Sequence, residues 1–167
     1  SPYTGTVFDG DAGHRELLEA ITTHGDEELS TKCLQIARAN DVIRLMIASS
    51  MASVLLKPMN QQIYFHHTWG GSGLGKSVGL KVQASIWGNP STDANFLTNF
   101  KATTTSAEFR ADMLNSLPIL LDDTAQIARK NANDFSNLIY MLCSGQGKSR
   151  GNVNLSLNKQ KSWTLSI

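Results

Sequence analysis

Residues 70–77 read Gly-Gly-Ser-Gly-Leu-Gly-Lys-Ser and satisfy the pattern G-x-x-x-x-G-K-[ST] at every position. No other feature constrains the fold as tightly, because the pattern works only where an extended segment runs into a glycine turn and out into a helix. Both flanks comply. Ile63 to Thr68 is rich in β-branched and aromatic residues, and Ser77 to Trp87 has a helical texture. Glycines let the chain curl so that successive N–H groups point at one anion, and the helix adds the positive end of its dipole. In such a loop Lys76 reaches the β- and γ-phosphates of a nucleotide, and the Ser77 hydroxyl ligates Mg²⁺. The nucleotide-binding set is therefore Gly70, Gly71, Ser72, Gly73, Leu74, Gly75, Lys76 and Ser77. A second Gly-Lys-Ser at Gly147-Lys148-Ser149 is a decoy, since its pattern would begin at Leu142, inside a helical stretch.

Hydrolysis needs carboxylates near that loop: one on the metal side and one to activate the attacking water. Pro118-Ile119-Leu120-Leu121-Asp122-Asp123 supplies them as an apolar strand that ends in two acids. Asp122 is read as the metal-side residue and Asp123 as the base. Aspartate is one carbon–carbon bond shorter than the more usual glutamate, about 1.5 Å, so Glu108, just after Thr103-Thr104-Thr105, is a second candidate base. A helix-start glutamate favoured by the dipole is the plainer account of Glu108.

The remaining chain alternates in the same sense. Helices are expected from Asp11 to about His24 and from Asp26 to Lys57, the latter broken at Asn40-Asp41 and stopped before Pro58. An extended stretch at Phe100–Thr104, helices at Ser106–Ser116 and Asn133–Cys143, an alternating run at Val153, Leu155 and Leu157, and a strand-like Trp163–Ile167 follow the loop. This order predicts an α/β fold, a nucleotide-binding core with a mostly parallel sheet. Two parts are expected: a helical lead-in over 1–58 that packs on the core, and the ATPase core over 59–167. The helix ending at Lys57 is apolar on nearly every side, which predicts burial against the sheet. At 167 residues with 41% hydrophobic content the chain can bury a core, and a net charge of +1 singles out no nucleic-acid or membrane surface. No run is long and apolar enough to span a bilayer and the N-terminus lacks a signal pattern, which predicts a cytoplasmic protein with no membrane partner. Cys33 and Cys143 lack neighbours at ligand spacing and read as two buried thiols rather than a zinc site or a disulfide framework.

Beyond the loop, several strings resemble a known family. They are Ala84-Ser85-Ile86-Trp87-Gly88, the threonine stretch before Glu108, Leu120 to Asp123, Ile139-Tyr140-Met141-Leu142, and Ser144-Gly145-Gln146-Gly147-Lys148-Ser149-Arg150. The sequence resembles the P-loop ATPase domain, AAA+ or MCM-like and long catalogued as a domain of unknown function, of primase-helicase and replication proteins from phages and mobile elements. Asp123 departs from that family's glutamate. The resemblance implies an oligomeric, ring-forming ATPase, the motor core of a DNA replication helicase that uses ATP and Mg²⁺ and acts on DNA. It also implies that Lys148 and Arg150 contact DNA phosphates or a nucleotide across a subunit interface. A five-stranded sheet is implied too, of which four strands can be counted, so the fifth strand, the sensor residue and the arginine finger are expected past Ile167. The rival reading is a nucleotide-dependent switch, or a degenerate binding module with little turnover. A small-molecule kinase is disfavoured because only Arg110, Arg129 and Arg150 follow the loop.

Overall fold

The computed structural model describes residues 12–22, 25–94, 96–99, 103–122, 132–149 and 160–167. Among the described residues six α-helices carry the fold: α1 (Ala12–Ala20), α2 (Glu27–Ala37), α3 (Asp41–Leu56), α4 (Lys76–Trp87), α5 (Thr104–Leu114) and α6 (Ala132–Cys143). Among the same residues two strands of two residues each, β1 (Thr98–Asn99) and β2 (Leu121–Asp122), pair in parallel, Thr98 opposite Leu121 and Asn99 opposite Asp122.

Local chemistry sets the helix starts. Asp26 accepts the Leu29 N–H at 2.8 Å, and Glu27 and Glu28 occupy the positive first turn of α2. Asn40 accepts from Val42 and Ile43, which restarts the chain as α3, and Pro58 follows two residues after its end. Thr103 accepts from Ser106 at 3.2 Å and opens α5 two residues earlier than the expected start. The expected cap at Asp11, the base candidate Asp123, Arg150 and the run at Val153 to Leu157 lie outside the described residues.

The expected α/β architecture with a mostly parallel sheet is not what forms. Helix accounts for 54% and strand for 6% of the described residues, and the strand content is one short parallel pair plus isolated bridges. The physical reason lies in where the backbone donors go. Ile63–Thr68, Pro118–Leu121 and Trp163–Ile167 do lie side by side, through His66 N–H to Ile167 O (2.7 Å), Ile167 N–H to Tyr64 O (3.1 Å) and Ile119 N–H to Ser166 O (2.9 Å). However, the Ser166 N–H is spent on the Ser53 hydroxyl of α3, the Thr164 N–H on Asn115 O and the Trp163 N–H on Gly145 O. Pro118 has no N–H to give. A ladder needs the N–H groups that face a neighbouring segment to be taken by it, and here several serve a helix and two turns instead.

The core gathers around these extended segments. Ile119, Leu120, Leu165, Ile167 and Trp163 meet Leu17 and Ala20 of α1, Ala84 of α4, Ala107, Ala111 and Leu114 of α5, and Leu138, Met141 and Leu142 of α6. Each large side chain buried there contributes about 1.5–3 kcal/mol, and the Trp163 indole N–H is satisfied by Leu142 O at 2.8 Å. Helix α4 packs on α2 and α3, and α5 on α6.

Two expectations about the helical segment change. Helix α3 buries one stripe only, Met46, Ile47, Ser50, Ser53 and Leu56, while Val42, Leu45, Met51 and Leu55 are exposed. The two serines belong to the buried stripe because Ser53 accepts the Ser166 N–H and Ser50 accepts the Trp87 indole N–H. Cys33, expected to be buried, is exposed on α2, and Cys143 is half-buried; both are free thiols.

Candidate functional site

The Gly70–Ser77 loop runs directly into α4, whose N-cap is Gly75 at φ 77° and ψ 15°. That left-handed conformation strains any residue with a Cβ, so the glycine turns the chain into the helix without cost. No side chain caps the helix, so its first N–H groups rely on other partners. Residues 70–75 are exposed. The Lys76 ammonium folds back over the loop and donates to Gly70 O at 2.9 Å and Gly71 O at 2.6 Å. A cation tethered to its own loop carbonyls can exchange them for anionic oxygens.

Ser77, one residue on, donates through Oγ to Asp122 Oδ1 at 3.3 Å. These two residues are 45 apart in sequence and meet because β2 ends beside the first turn of α4. The buried Pro118-Ile119-Leu120 run anchors β2 in the core, and the chain emerges at the half-buried Asp122. Two oxygens at this separation suit a small hard cation, since cis ligands of Mg²⁺ at 2.0–2.1 Å lie about 2.9 Å apart. Among the described residues no group of three or more His, Cys, Asp or Glu side chains is placed to hold a metal. Mg²⁺ at a phosphate site keeps most of its shell as water and phosphate oxygens, so one hydroxyl and one carboxylate fit it.

Lys76, Ser77 and Asp122 line a cavity of about 420 Å³ that extends between α3, α4 and the extended segments, with Phe65, His66, His67 and Thr68 along one wall. These wall residues were not singled out from the sequence as functional. The signal was available, because period-two alternation places Phe65 and His67 on one face of the segment that feeds the loop.

Glu108 is elsewhere. It is 1% exposed, its Oε1 accepts the Lys148 backbone N–H at 3.0 Å, and it is not among the residues lining the cavity. The side chain thereby ties α5 to the Gly145–Lys148 turn, where Gly147 lies close against its carboxylate. Lys148 is exposed. On the same helix, burial pushes the Arg110 guanidinium down from its ordinary value, and its Nη1 reaches Phe96 O at 3.5 Å. Burial likewise pushes the Cys143 thiol up.

Together these observations define a mostly helical domain with a glycine loop and lysine at one helix N-terminus, facing a hydroxyl–carboxylate pair. Residues 13–163 match the family described as a domain of unknown function, DUF927, and the chain belongs to that family. Comparison with curated proteins returns no match. Among the described residues no helix is long and apolar enough to cross a membrane.

Proposed function

We propose that the Gly70–Ser77 loop binds the triphosphate of ATP with Mg²⁺, and that the chain is the ATP-hydrolysing motor core of a DNA replication helicase. The observation that carries the nucleotide reading is the meeting of Ser77 Oγ and Asp122 Oδ1 at 3.3 Å beside Lys76. Loop amides and the Lys76 ammonium neutralise the β- and γ-phosphates, and Ser77 and Asp122 take the metal side. The metal, when bound, spreads the charge that develops on the transferred phosphoryl group. Asp123 follows Asp122 directly and is the residue assigned to activate water. The helicase assignment, with a ring of subunits and with Lys148 and Arg150 toward DNA or a neighbouring nucleotide, rests on the sequence resemblance.

One observation favours the switch as a second reading. The Glu108 carboxylate is buried and engaged by the Lys148 N–H, which leaves the shorter Asp123 as the base. A protein that holds ATP and turns it over slowly is the result if that aspartate falls short of the water.

Steady-state ATPase measurements with and without single-stranded DNA separate the two. DNA-stimulated turnover that Lys76→Ala lowers by orders of magnitude supports the motor, and Mg²⁺-dependent ATP binding without turnover supports the switch. Wild-type ATP affinity and turnover in Lys76→Ala would sink both.

A further inference from the structure

The loop accounts for the phosphates of a nucleotide and leaves the cavity behind it without a role. At about 420 Å³ this cavity falls within the roughly 300–1,000 Å³ typical of small-molecule sites. A second cavity among the described residues, beneath α5 and α6, holds only about 10 Å³, too little for anything beyond a single water. The larger one has its polar end at Lys76, Ser77 and Asp122, and its interior is walled by Met46 and Leu80 as well as by Phe65 and His67. Those two rings lie 6.0 Å apart between centroids with planes 27° from parallel, a stacked pair on one face of the segment that leads into the loop. A chamber of mixed polar and apolar lining with an aromatic wall, opening beside Lys76 and the glycine loop, has the chemistry of a nucleoside pocket. Aromatic faces accept any base, and the hydroxyls of Ser49 and Thr68 on the lining offer hydrogen bonds to ribose or base edge.

We infer that this cavity receives the nucleoside of the nucleotide, with the base stacked on the Phe65–His67 pair. The inference rests on the phosphate reading of the loop and adds to it a place and a pair of recognising residues. It makes the extended segment before the loop a second recognition element. One extended segment then serves both ends of the ligand: its side chains hold the base, and the turn after it holds the phosphates.

The test compares Mg·ATP with Mg·tripolyphosphate, which has the phosphates and no nucleoside, by calorimetric titration of the whole chain. The wild type should bind ATP at least about tenfold more tightly than tripolyphosphate, since stacking of one base typically yields that much. His67→Ala removes an exposed ring, and Phe65→Leu keeps an apolar side chain in place of the other. Each should bring the two affinities toward equality by weakening ATP alone. A folding defect lowers the competent fraction for both ligands alike and leaves their ratio unchanged, so the ratio reads stacking and not stability. Equal affinities in the wild type, or a ratio that neither variant moves, would overturn the nucleoside assignment while leaving the phosphate site intact. Tripolyphosphate that fails to bind, or binds as well to Lys76→Ala, would instead overturn the phosphate reading and this inference with it.

Discussion

Replacing Gly88 with alanine tests how the helical N-terminal segment is joined to the loop-bearing helix. Gly88 follows α4 at φ 174°, an extended conformation open to any residue, so its backbone angles do not demand glycine. Space does. A Cβ built there lies 2.2 Å from Ala20 O, 2.8 Å from Ile21 Cα and 3.0 Å from Ala20 C, all backbone atoms at the end of α1. An ordinary carbon–oxygen contact is about 3.3 Å, so α1 and α4 must part by about 1 Å. Ala20 O also accepts the Asn89 N–H at 2.8 Å, and Ala20 is 3% exposed, so the separation breaks a buried hydrogen bond. Overpacking costs about 1–3 kcal/mol and a buried polar pair left unmade about 1–3 more. Against this, alanine restricts the unfolded chain and returns about 0.4–1 kcal/mol. The expected net loss is about 1–5.6 kcal/mol. With a urea slope of about 2 kcal/mol/M, the unfolding midpoint should fall by roughly 0.5–2.8 M at constant slope. A midpoint equal to or above that of the wild type would show that α1 does not close on the end of α4.

Gly75→Ala places a Cβ in open space but at φ 77°, so it should cost only the left-handed penalty of about 1–2 kcal/mol in the same urea assay, well below the largest Gly88→Ala loss. Glu108→Gln keeps an acceptor for the Lys148 N–H and should leave nucleotide turnover within about twofold, a difference of roughly 0.4 kcal/mol, whereas Glu108→Ala orphans that donor and should lose about 1–3 kcal/mol of stability; loss of turnover in Glu108→Gln at full stability would make Glu108 the base after all. At pH 7 an exposed Cys33 should react with a thiol reagent well before Cys143, whose raised value leaves less thiolate. Raising the pH should narrow the gap, because the Cys143 thiolate fraction goes on growing as the pH climbs through its raised value, and Cys143 reacting first would contradict its burial.

The helix starts at Asp26 and after Asn40 were legible because they depend on neighbours in sequence: each side chain bonds to an N–H two or three residues away, and such geometry follows from residue type and spacing alone. The same holds for the loop, whose glycines at positions 70, 73 and 75 take positive φ. Thr103, read as part of an extended stretch, caps α5 instead. Ser77 and Asp122 were each read as metal-side residues, and the fold brings their side chains within hydrogen-bonding distance of each other. Helices α1 and α6 bury Leu17 and Leu138 in the core.

What the sequence could not display is how donors are shared out among distant elements. Ile63–Thr68, Pro118–Leu121 and Trp163–Ile167 have strand-like composition, yet whether a ladder forms depends on where Ser53 and Asn115 stand, 113 and 49 residues away from the N–H groups they take. Glu108 looked like a helix-start acid or a base, and only the return of the Lys148 backbone to its carboxylate makes it a buried anchor. The exposed apolar side of α3 and the cavity between α3, α4 and the extended segment before the loop are likewise properties of how the elements are set against one another. Capping and turn formation are decided within a few residues, where local bonding dominates the free energy. Sheet pairing, burial of a charge and the shape of a cavity are decided by groups dozens of residues apart that compete for the same partners, and only the folded chain settles that competition.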